Sequence, residues 1–316
     1  MNAEKIIEEF KKSGKRHIFI TGSSSMGKST LCRELSALLN ANLLTIKEVF
    51  MEAVLSFLKN NENVWISIDE IVLTKKDECE YTELIKKQLH ESHCILTFRN
   101  DIEKPLFEYL KQYEDAYVIN LDNQTFDVSC IVMASGAGSR FGSNKLLASF
   151  NGKTLIEHIL DTIPYTMLKE VILVTRYKEV EEISKNYPLT CIVHDLPRQS
   201  DTIRIGMDHI TDSKGCMFLT CDQPLRTKKS LRKLILNFND HQDFMVRLGY
   251  REIVGNPVIF PNRYYEELKQ LQPGQKGSTV VKAHFENMIV VQANHRYELA
   301  DTDTMDDFIR LSRIAD

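Results

Sequence analysis

Short apolar runs alternate with amphipathic stretches along this chain of 316 residues. Runs of five to eight mostly apolar residues indicate buried strands, and longer stretches with apolar residues at helical spacing indicate helices. In the first third of the chain the predicted strands are HIFIT (17–21), VWISID (64–69), HCILTF (93–98) and AYVINL (116–121). The predicted helices are KSTLCRELSALLN (28–40) and YTELIKKQLHES (81–92). This alternation is typical of a mainly parallel sheet covered by helices.

A second cycle of the same kind follows the polar stretch DNQTFD (122–127). Its predicted strands are VSCIVMAS (128–135), EVILVT (170–175), CIVHD (191–195) and GCMFLTCD (215–222), with a helix at TLIEHILDTI (154–163). The short separator predicts two domains, 1–125 and 126–316, packed closely rather than joined by a long tether. We expect an α/β protein with two Rossmann-like three-layer α/β/α domains.

Composition narrows the class of protein. A net charge of −4 gives no electrostatic case for nucleic-acid binding, and no apolar run approaches the roughly 20 residues that span a bilayer. The N-terminal segment is charged and lacks the apolar core of a signal peptide. The scattered cysteines contain no C-x-x-C pair, which predicts reduced thiols and a cytoplasmic protein without a zinc site. They are Cys32, Cys79, Cys94, Cys130, Cys191, Cys216 and Cys221.

The first glycine-rich loop, GSSSMGKST (22–30), has the spacing of a Walker A phosphate-binding loop between a predicted strand and helix. Its backbone N–H groups and the helix N-terminus would surround a β-phosphate. Lys28 would reach the β- and γ-phosphate oxygens, and Ser29 would ligate Mg²⁺. The predicted ATP- or GTP-binding residues of this loop are Gly22, Ser25, Gly27, Lys28, Ser29 and Thr30.

A Walker B partner would be an acid at the end of a buried strand. VWISIDE supplies Asp69 for the magnesium shell and Glu70 to polarise water, although an acid that only ends a strand is the alternative. TFRNDIEKPLFEYLKQYEDAYVINLDNQ (97–124) resembles the tail of a family of small bacterial and archaeal nucleoside triphosphatases, over roughly residues 15–125. The short segment 41–63 departs from that family, so the resemblance implies nucleotide binding more firmly than hydrolysis.

The second glycine-rich loop lies in VMASGAGSRFGSNKLL (132–147). Its glycines have the spacing G-x-G-x-x-x-G, one residue longer than the dinucleotide fingerprint, and the next predicted strand ends without the acid that would hold a ribose. A cationic loop suits a triphosphate that loses pyrophosphate. We predict two catalytic cations here, Arg140 against the leaving group and Lys145 against the α-phosphate.

MASGAGSRFGSNKLLASFNGKTLIEHIL (133–160) resembles the opening of the MobA-like nucleotidyltransferases, and most closely their molybdenum cofactor cytidylyltransferase branch. Further family elements occur in order: RQSDTIRIGM (198–207), LTCDQPL (219–225), GNPVIF (255–260), GQKGSTVV (274–281) and LADTDTMDDF (299–308). The resemblance implies a nucleotide-diphospho-sugar-transferase-like fold for 126–316, fused to the P-loop domain. It also implies in-line attack by an acceptor phosphate on the α-phosphorus of a nucleoside triphosphate, with release of pyrophosphate.

Candidate metal ligands follow from the strand ends. Asp222 follows a buried strand, so it would project at the carboxyl edge of the sheet and hold Mg²⁺. By resemblance Asp303 is the second acid, with Asp301 beside it, and a helix N-cap is the alternative for either. The predicted metal set is therefore Asp222 and Asp303, with Ser29 in the first domain.

The nucleotide itself would contact the loop and one later segment. By resemblance Ser200 and Thr202 lie against the base and sugar, and a helix start is an equal alternative for both. His158 and His194 are expected to be packed or surface residues. The predicted nucleotide-binding residues are Ala134, Ser135, Gly136, Ala137, Gly138, Ser139, Ser200 and Thr202.

The base and the acceptor follow from the resemblance. Cytidylyl enzymes of the family tend to have A-A-G where guanylyl enzymes have A-G-G, and Ser135 is closer in size to alanine. We therefore expect CTP as donor, molybdopterin or its molybdenum-loaded form as acceptor, and a molybdenum hydroxylase apoenzyme as a partner. The alternatives are a sugar-phosphate nucleotidyltransferase, a P-loop NTPase that delivers a cofactor with a non-catalytic second domain, and a kinase.

Overall fold

The computed structural model describes residues 3–22, 26–45, 65–69, 78–99, 105–136 and 144–315. The chain divides into two compact units, Met1–Gln124 and Thr125–Asp316. Each is a separate α/β assembly around its own sheet.

The N-terminal unit is built on a parallel sheet. Its strands are β1 (His17–Thr21), β2 (Asn42–Thr45), β3 (Trp65–Asp69), β4 (His93–Phe98) and β5 (Ala116–Asn120). Its helices are α1 (Ala3–Ser13), α2 (Lys28–Leu38), α3 (Glu78–Glu91) and α4 (Pro105–Lys111). The described strands lie in the order β2-β3-β4-β1-β5, and every pair is parallel. All residues of β1 are buried, which suits an interior strand with a continuous apolar run.

The C-terminal unit is larger and has a mixed sheet. Its strands are β6 (Val128–Ala134), β7 (Ser149–Phe150), β8 (Lys153–Thr154), β9 (Glu170–Thr175), β10 (Thr190–Val193), β11 (Gly215–Thr220), β12 (Met245–Tyr250), β13 (Ile253–Pro261) and β14 (Met288–Gln292). Its helices are α5 (Leu155–Asp161), α6 (Lys178–Ser184), α7 (Gln199–His209), α8 (Lys228–Asp240), α9 (Tyr265–Lys269), α10 (Gly277–Ala283) and α11 (Met305–Ala315). The main sheet has the order β10-β9-β6-β11-β13-β12-β14, and β7 and β8 form a separate hairpin.

Only β13 runs against its neighbours in the seven-stranded sheet. The pairs on either side of it, from β10 to β11 and between β12 and β14, are parallel. Ile131, Val258 and Phe260 from this sheet pack with Ile203 of α7 in one core cluster. The α/β architecture expected for this part of the chain is therefore confirmed.

The structure also bears on two expectations from composition. In the part of the chain that the structure describes, no helix combines the length and the apolar character needed to cross a bilayer. The six cysteines with described side chains are free thiols, and five of them are buried. Cys79, the seventh, lies outside the described side chains.

Candidate functional site

The second glycine-rich loop leaves the carboxyl end of β6, an interior strand between β9 and β11. Ala134 is the last residue of the strand, and its carbonyl accepts a hydrogen bond from the Thr175 hydroxyl at 2.9 Å. Gly136 follows, and its carbonyl accepts from the Tyr177 hydroxyl at 2.9 Å. The predicted loop residues Ala137, Gly138, Ser139 and Arg140 lie outside the described residues.

The chain is described again from Asn144, which begins a short 3₁₀ turn over Lys145–Leu147. The Asn144 side chain accepts a hydrogen bond from Leu146 N at 3.2 Å and so closes the turn that carries Lys145. Among the residues described after β6, the first α-helix is α5, which begins at Leu155. A dinucleotide fingerprint needs a helix N-terminus directly at the loop. Here the described positive charge comes from a side chain instead.

Asp222 lies two residues beyond the end of β11, next to β6 in the sheet. Its backbone carbonyl accepts hydrogen bonds from Thr302 N at 2.8 Å and from the Thr302 hydroxyl at 3.0 Å. These two bonds fasten the end of β11 to a segment 80 residues later in the chain. They bring the predicted acids of the two segments to one place.

Lys145 reaches the same place from the loop. Its ammonium donates to the Thr302 carbonyl at 3.3 Å and lies 3.9 Å from Asp303 Oδ1. The Lys145 side chain is 13% exposed and that of Asp303 is 54% exposed. The structure thus brings together three of the predicted residues, Lys145, Asp222 and Asp303.

Asp301 has a specific hydrogen-bond partner. Its Oδ1 accepts a hydrogen bond from Gln223 Nε2 at 2.8 Å. Burial raises the pKa of the Asp301 carboxyl, and the neighbouring negative charge of Asp222 raises it further. Asp301 therefore contributes to the same negative region as Asp222.

The helix N-cap alternative for Asp301 and Asp303 is wrong. Helix α11 begins at Met305, and its cap is Thr304, whose hydroxyl accepts a hydrogen bond from Asp307 N at 3.1 Å. The Asp307 carboxylate in turn accepts a hydrogen bond from Thr304 N at 3.2 Å. Because this capping box satisfies the helix start, neither Asp301 nor Asp303 serves as its cap.

The segment with Ser200 and Thr202 forms the start of α7, which begins at Gln199. Both residues are buried. The Thr202 hydroxyl donates to the Arg198 carbonyl at 3.4 Å, and Thr202 also lines the cavity beside Lys145. Ser200 is outside the residues that line this cavity. The helix start that the sequence allowed is observed, and Thr202 keeps a position beside the cavity as well.

Ser135, the residue that bears on base choice, has a hydrogen-bonded partner that the sequence did not indicate. Its hydroxyl lies 2.8 Å from His194 Nε2 and donates to the Val174 carbonyl at 3.1 Å. Leu196 N donates to His194 Nδ1 at 3.2 Å, so we assign the ring proton to Nε2, which then donates to Ser135. Burial lowers the pKa of His194, and Arg176 lowers it further, which favours the neutral ring.

His158 is a packed residue, as expected. Its ring meets Phe150 edge-on, and its Nε2 is hydrogen-bonded to the Phe150 carbonyl. It takes no part in the site.

Two cavities open at this edge of the sheet. The first, of about 280 Å³, is lined by Ser135, Gly136, Lys145 and Thr202 among others. The second, of about 370 Å³, is lined by apolar side chains from β11, β13, α7 and α10, and also by Arg247 and Lys276. Both cavities share four lining residues, Met133, Gln199, Thr220 and Asp222. Asp222 therefore lies where the two cavities meet.

The residues present fit a divalent cation. Oxygen Oδ1 of Asp222 is buried and has no hydrogen-bond partner among the described residues. A bound cation would give this oxygen the partner that a buried polar atom normally has. Within the described ranges, no three His, Cys, Asp or Glu side chains form a group that could hold a metal ion. Mg²⁺ is commonly held by one or two carboxylates and completed by substrate phosphates, so this donor set suits a metal that arrives with a nucleotide.

In the N-terminal unit, the predicted P-loop follows β1 and opens directly into α2. Gly22 and Gly27 have positive φ angles of 152° and 79°, which glycine adopts without strain. Lys28 is the first residue of α2, and its ammonium donates to the Gly22 carbonyl at 2.8 Å. Ser29 is half-buried and Thr30 is exposed in the first turn of the helix.

The remaining predicted residues of the first nucleotide site are only partly described. Asp69 is the last residue of β3, which is the position predicted for it, and its side chain lies outside the described residues. Ser25 and Glu70 also lie outside them. The backbone angles and the hydrogen bond observed at the loop therefore come from Gly22, Gly27 and Lys28.

Sequence reasoning missed three residues of the C-terminal site: His194, Gln223 and Arg226. Arg226 is only 2% exposed, and its guanidinium donates to the Thr220 carbonyl and to Gln223 Oε1. In the sequence it resembles any surface cation, because nothing local marks an arginine that tertiary packing will bury. Gln223 was visible only as part of the CDQPL element.

An open α/β sheet whose carboxyl edge joins a lysine, two or three carboxylates and two cavities has the features of a site for a phosphorylated ligand. Residues 130–288, half of the chain, match the family of the MobA-like NTP transferase domain. The chain belongs to this family, and its C-terminal unit is a nucleotidyltransferase of the MobA type.

Relatives and solved structures agree with that assignment. The chain is 33% identical over 153 residues to a probable molybdenum cofactor guanylyltransferase of Bacillus anthracis, which covers 47% of this chain and 75% of that protein. A protein of the same name from Bacillus cereus is 34% identical over the same shares. The fold is similar to that of a nucleotidyl transferase from Methanothermobacter thermautotroptrophicus, with a TM-score of 0.51, 22% identity, and coverage of 59% of this chain and 96% of that one. Rv0371c from Mycobacterium tuberculosis gives a TM-score of 0.51 at 21% identity, with coverage of 59% and 98%.

Proposed function

We propose that the C-terminal unit transfers a nucleotide from a nucleoside triphosphate to the terminal phosphate of a molybdopterin-type acceptor and releases pyrophosphate. The observation that carries this proposal is the pair of cavities that meet at Asp222. A transferase needs a donor site and an acceptor site that share the reacting atoms. The names of the similar Bacillus proteins support a molybdenum cofactor as the acceptor.

The first cavity would hold the triphosphate and the second the acceptor. An oxygen of the acceptor phosphate attacks the α-phosphorus, a new P–O bond forms, and the bond from the α-phosphorus to the bridging oxygen breaks with its electron pair on pyrophosphate. Lys145 faces the first cavity and offsets charge at the α-phosphate. Arg140, from the same loop, is proposed to offset charge on the leaving pyrophosphate.

Asp222 would hold a divalent cation, Mg²⁺ in our proposal, with Asp301 or Asp303 as the second carboxylate. When bound, the cation neutralises phosphate charge and orients the donor. The chain itself fixes Asp222 through the two bonds from Thr302, and it keeps Lys145 close to the same backbone segment.

The second cavity suits an acceptor that joins a flat ring system to a phosphate. Phe218, Val258 and Phe260 give it an apolar wall. Arg247 is half-buried at its side, with Nε and Nη2 donating to the Gly255 carbonyl at 3.1 and 3.0 Å, and Lys276 lines it from an exposed position. Apolar side chains would pack against a pterin, and the two cations would attract its phosphate.

For the base we propose cytosine, because Ser135 puts a side chain where guanylyl enzymes have glycine. The hydrogen bonds to Val174 and His194 hold that side chain in place. Guanine is the second candidate, since the similar Bacillus proteins are named guanylyltransferases. The ratio of kcat/KM for CTP and GTP decides between them.

We further propose that the N-terminal unit is a P-loop domain that binds a second nucleoside triphosphate. The support is the position of Lys28 at the start of α2, after two glycines with positive φ angles. Binding, hydrolysis and phosphorylation of the acceptor are three possible uses of that nucleotide. A cofactor-delivery role toward a molybdenum hydroxylase would use the first two.

One assay separates these functions. The full-length protein is incubated with Mg²⁺, each nucleoside triphosphate in turn, and molybdopterin, and the phosphate products are identified. Acceptor-dependent pyrophosphate is the expected result. Inorganic phosphate without pyrophosphate would favour the NTPase alternative, and a nucleoside diphosphate with a phosphorylated acceptor would favour the kinase. Pyrophosphate formed with a sugar phosphate but not with molybdopterin would overturn the choice of acceptor.

A further inference from the structure

A buried arginine, Arg226, lies beside the acidic edge of the C-terminal site, and its hydrogen bonds to described residues go to neutral oxygens. The guanidinium of Arg226 donates to the Thr220 carbonyl from both Nη1 and Nη2 at 3.3 Å, and from Nη2 to Gln223 Oε1 at 2.5 Å. Its Nε has no hydrogen-bond partner among the described residues. A buried cation whose described partners are neutral oxygens carries a large desolvation penalty, so packing alone is a poor reason for it.

The bond from Arg226 fixes which way the Gln223 amide points. A guanidinium has donors and no acceptor, so the amide oxygen must face Arg226. The amide nitrogen then faces the other way, where it donates to Asp301 Oδ1 at 2.8 Å and to the Leu299 carbonyl at 3.4 Å. Both amide hydrogens are used, and Gln223 is 3% exposed, so the side chain has little room to turn.

Without Arg226 the buried amide oxygen of Gln223 would lose its charged donor, and the side chain would no longer be fixed on that side. The side chain would then be free to shift, and its hydrogen bond to the Asp301 carboxylate would weaken. Outer partners of this kind commonly change metal affinity by a factor of 10–100 when they are removed.

We propose that Arg226 is a positioning residue that acts through Gln223 to hold Asp301 as a metal-binding carboxylate beside Asp222. The proposal depends on the proposed function in one respect: it assumes that a divalent cation binds at the carboxyl edge of the C-terminal sheet. It gives Asp301 a metal-binding role beside Asp222, because the bond from Gln223 constrains this carboxylate.

The test measures Mn²⁺ binding to the full-length protein from the loss of the free-ion EPR signal, without nucleotide and at Mn²⁺ concentrations high enough to fill a site that lacks the nucleotide phosphates. The binding lost in Asp222→Asn defines the signal of this site. Arg226→Met and Gln223→Met are each expected to weaken that binding roughly tenfold. The double variant should be no weaker than either single variant, because both remove the same hold on Asp301. Arg226→Lys, which keeps a cation and a donor, should recover part of the loss.

The control is Arg232→Met, which removes a half-buried arginine of α8 away from both cavities and should bind Mn²⁺ as the wild type does. In the transferase assay the Arg226 and Gln223 variants should raise the Mn²⁺ concentration needed for half-maximal rate more than they lower kcat. If Arg226→Met does not fold, Gln223→Met still tests the proposal, since it leaves Arg226 bonded to Thr220.

The outcomes distinguish a failure of this inference from a failure of the proposed transferase function. Wild-type Mn²⁺ affinity in Gln223→Met, or losses that add fully in the double variant, would overturn the role of Arg226 and leave the transferase proposal standing. A wild-type protein that binds no more Mn²⁺ than Asp222→Asn would overturn the metal site itself.

Discussion

The two glycine-rich loops of this chain follow similar strands and differ in what comes next. After β1 the loop runs directly into α2, and Lys28 is the first residue of that helix. After β6 the described chain resumes with a 3₁₀ turn at Lys145, and α5 begins only at Leu155. Among the described residues, the first loop is therefore followed by a helix N-terminus, the feature that would favour a phosphate there, whereas the second loop is followed by a lysine side chain.

The neighbouring strand ends extend that difference. In the C-terminal unit, the segment after β11 and the segment 299–303 meet through Thr302 and join carboxylates to Lys145. In the N-terminal unit, the acid at the end of β3 is separated from β1 by β4. A glycine-rich loop thus leaves its chemistry open, and the element that follows it and the acids at nearby strand ends decide that chemistry.

The largest effect is expected where the two cavities meet. Asp222→Asn keeps the size of the side chain and removes its charge, so acceptor-dependent pyrophosphate release should fall by at least about a hundredfold, since even outer partners of a metal commonly contribute 10–100-fold. Nucleotide binding at the first loop should not change. We would follow it by the fluorescence of Trp65, the one tryptophan of the chain, which belongs to β3.

The matched control is Asp208→Asn, an exposed carboxylate of α7 outside both cavities. It should transfer nucleotide at the wild-type rate. Near-wild-type turnover in Asp222→Asn would refute its role as a metal ligand.

The two lysines offer a direct comparison of the loops. Lys145→Met should lower kcat for pyrophosphate release about a hundredfold, because a charge that stabilises the reacting phosphate is removed. Lys28→Met should weaken nucleotide binding at the first loop only about tenfold, because the helix N-terminus and the loop amides remain. Steady-state kinetics measures the first effect and Trp65 fluorescence the second. If Lys28→Met weakened nucleotide binding as much as Lys145→Met lowers kcat, the helix after the first loop would add nothing to nucleotide binding.

The sequence predicts best where one element decides the outcome. The bounds of β1, β4 and β9 agree with the predicted runs, because each is an uninterrupted apolar stretch. Strands β2, β7, β8, β12, β13 and β14 were not predicted. β2 has only four residues, and β14 is mostly half-buried, so neither carries a strong pattern. The reversed direction of β13 is a property of pairing and not of its own residues.

The residues of the site also fall into two groups, those that a local sequence pattern predicts and those that depend on tertiary packing. Lys145 and Asp222 were predicted because each follows a recognisable strand or loop. The bonds from Thr302 to Asp222 join positions 80 residues apart, and no local pattern encodes them. Arg226 depends still more on tertiary packing, since burial turns an ordinary cation into one that orients a glutamine.

A smaller effect is expected on the selectivity for the nucleotide base. Ser135→Gly removes the side chain that we propose excludes guanine, so the kcat/KM ratio of GTP to CTP should rise about tenfold, the scale of one small group in a binding pocket. Ser135→Ala keeps Cβ and should change the ratio less than threefold. Parallel assays with both nucleotides measure this.

Ser184→Ala is the control for that comparison, because Ser184 is also a buried serine whose hydroxyl donates to a backbone carbonyl, that of Glu181 at 2.7 Å. It lies on α6, away from both cavities. A wild-type enzyme that prefers GTP would overturn the choice of cytosine and favour the guanylyl alternative.

The smallest effect concerns acid stability, and it should separate the two units. His17 in β1 is completely buried, and burial lowers its pKa from 6.5 to about 4 against the opposing pull of Asp115, with smaller contributions from Arg16, His93 and His90. Between these two pKa values the unfolded chain binds a proton that the folded chain does not. This contribution to stability is therefore complete above pH 6.5 and is lost as the pH falls toward 4. His17→Asn keeps an acceptor for Cys94 N and removes the titration.

We expect the urea midpoint reported by Trp65 to drop between pH 7.5 and pH 5 in the wild type, and to drop less in His17→Asn, on the order of a few tenths of a molar. The comparison of two pH values within each variant cancels any constant loss from the smaller side chain. His209→Asn, at an exposed histidine of α7 in the other unit, should leave the Trp65 transition unchanged at both pH values. If His17→Asn shows the same drop as the wild type, then groups other than the buried ring set the acid sensitivity of the N-terminal unit.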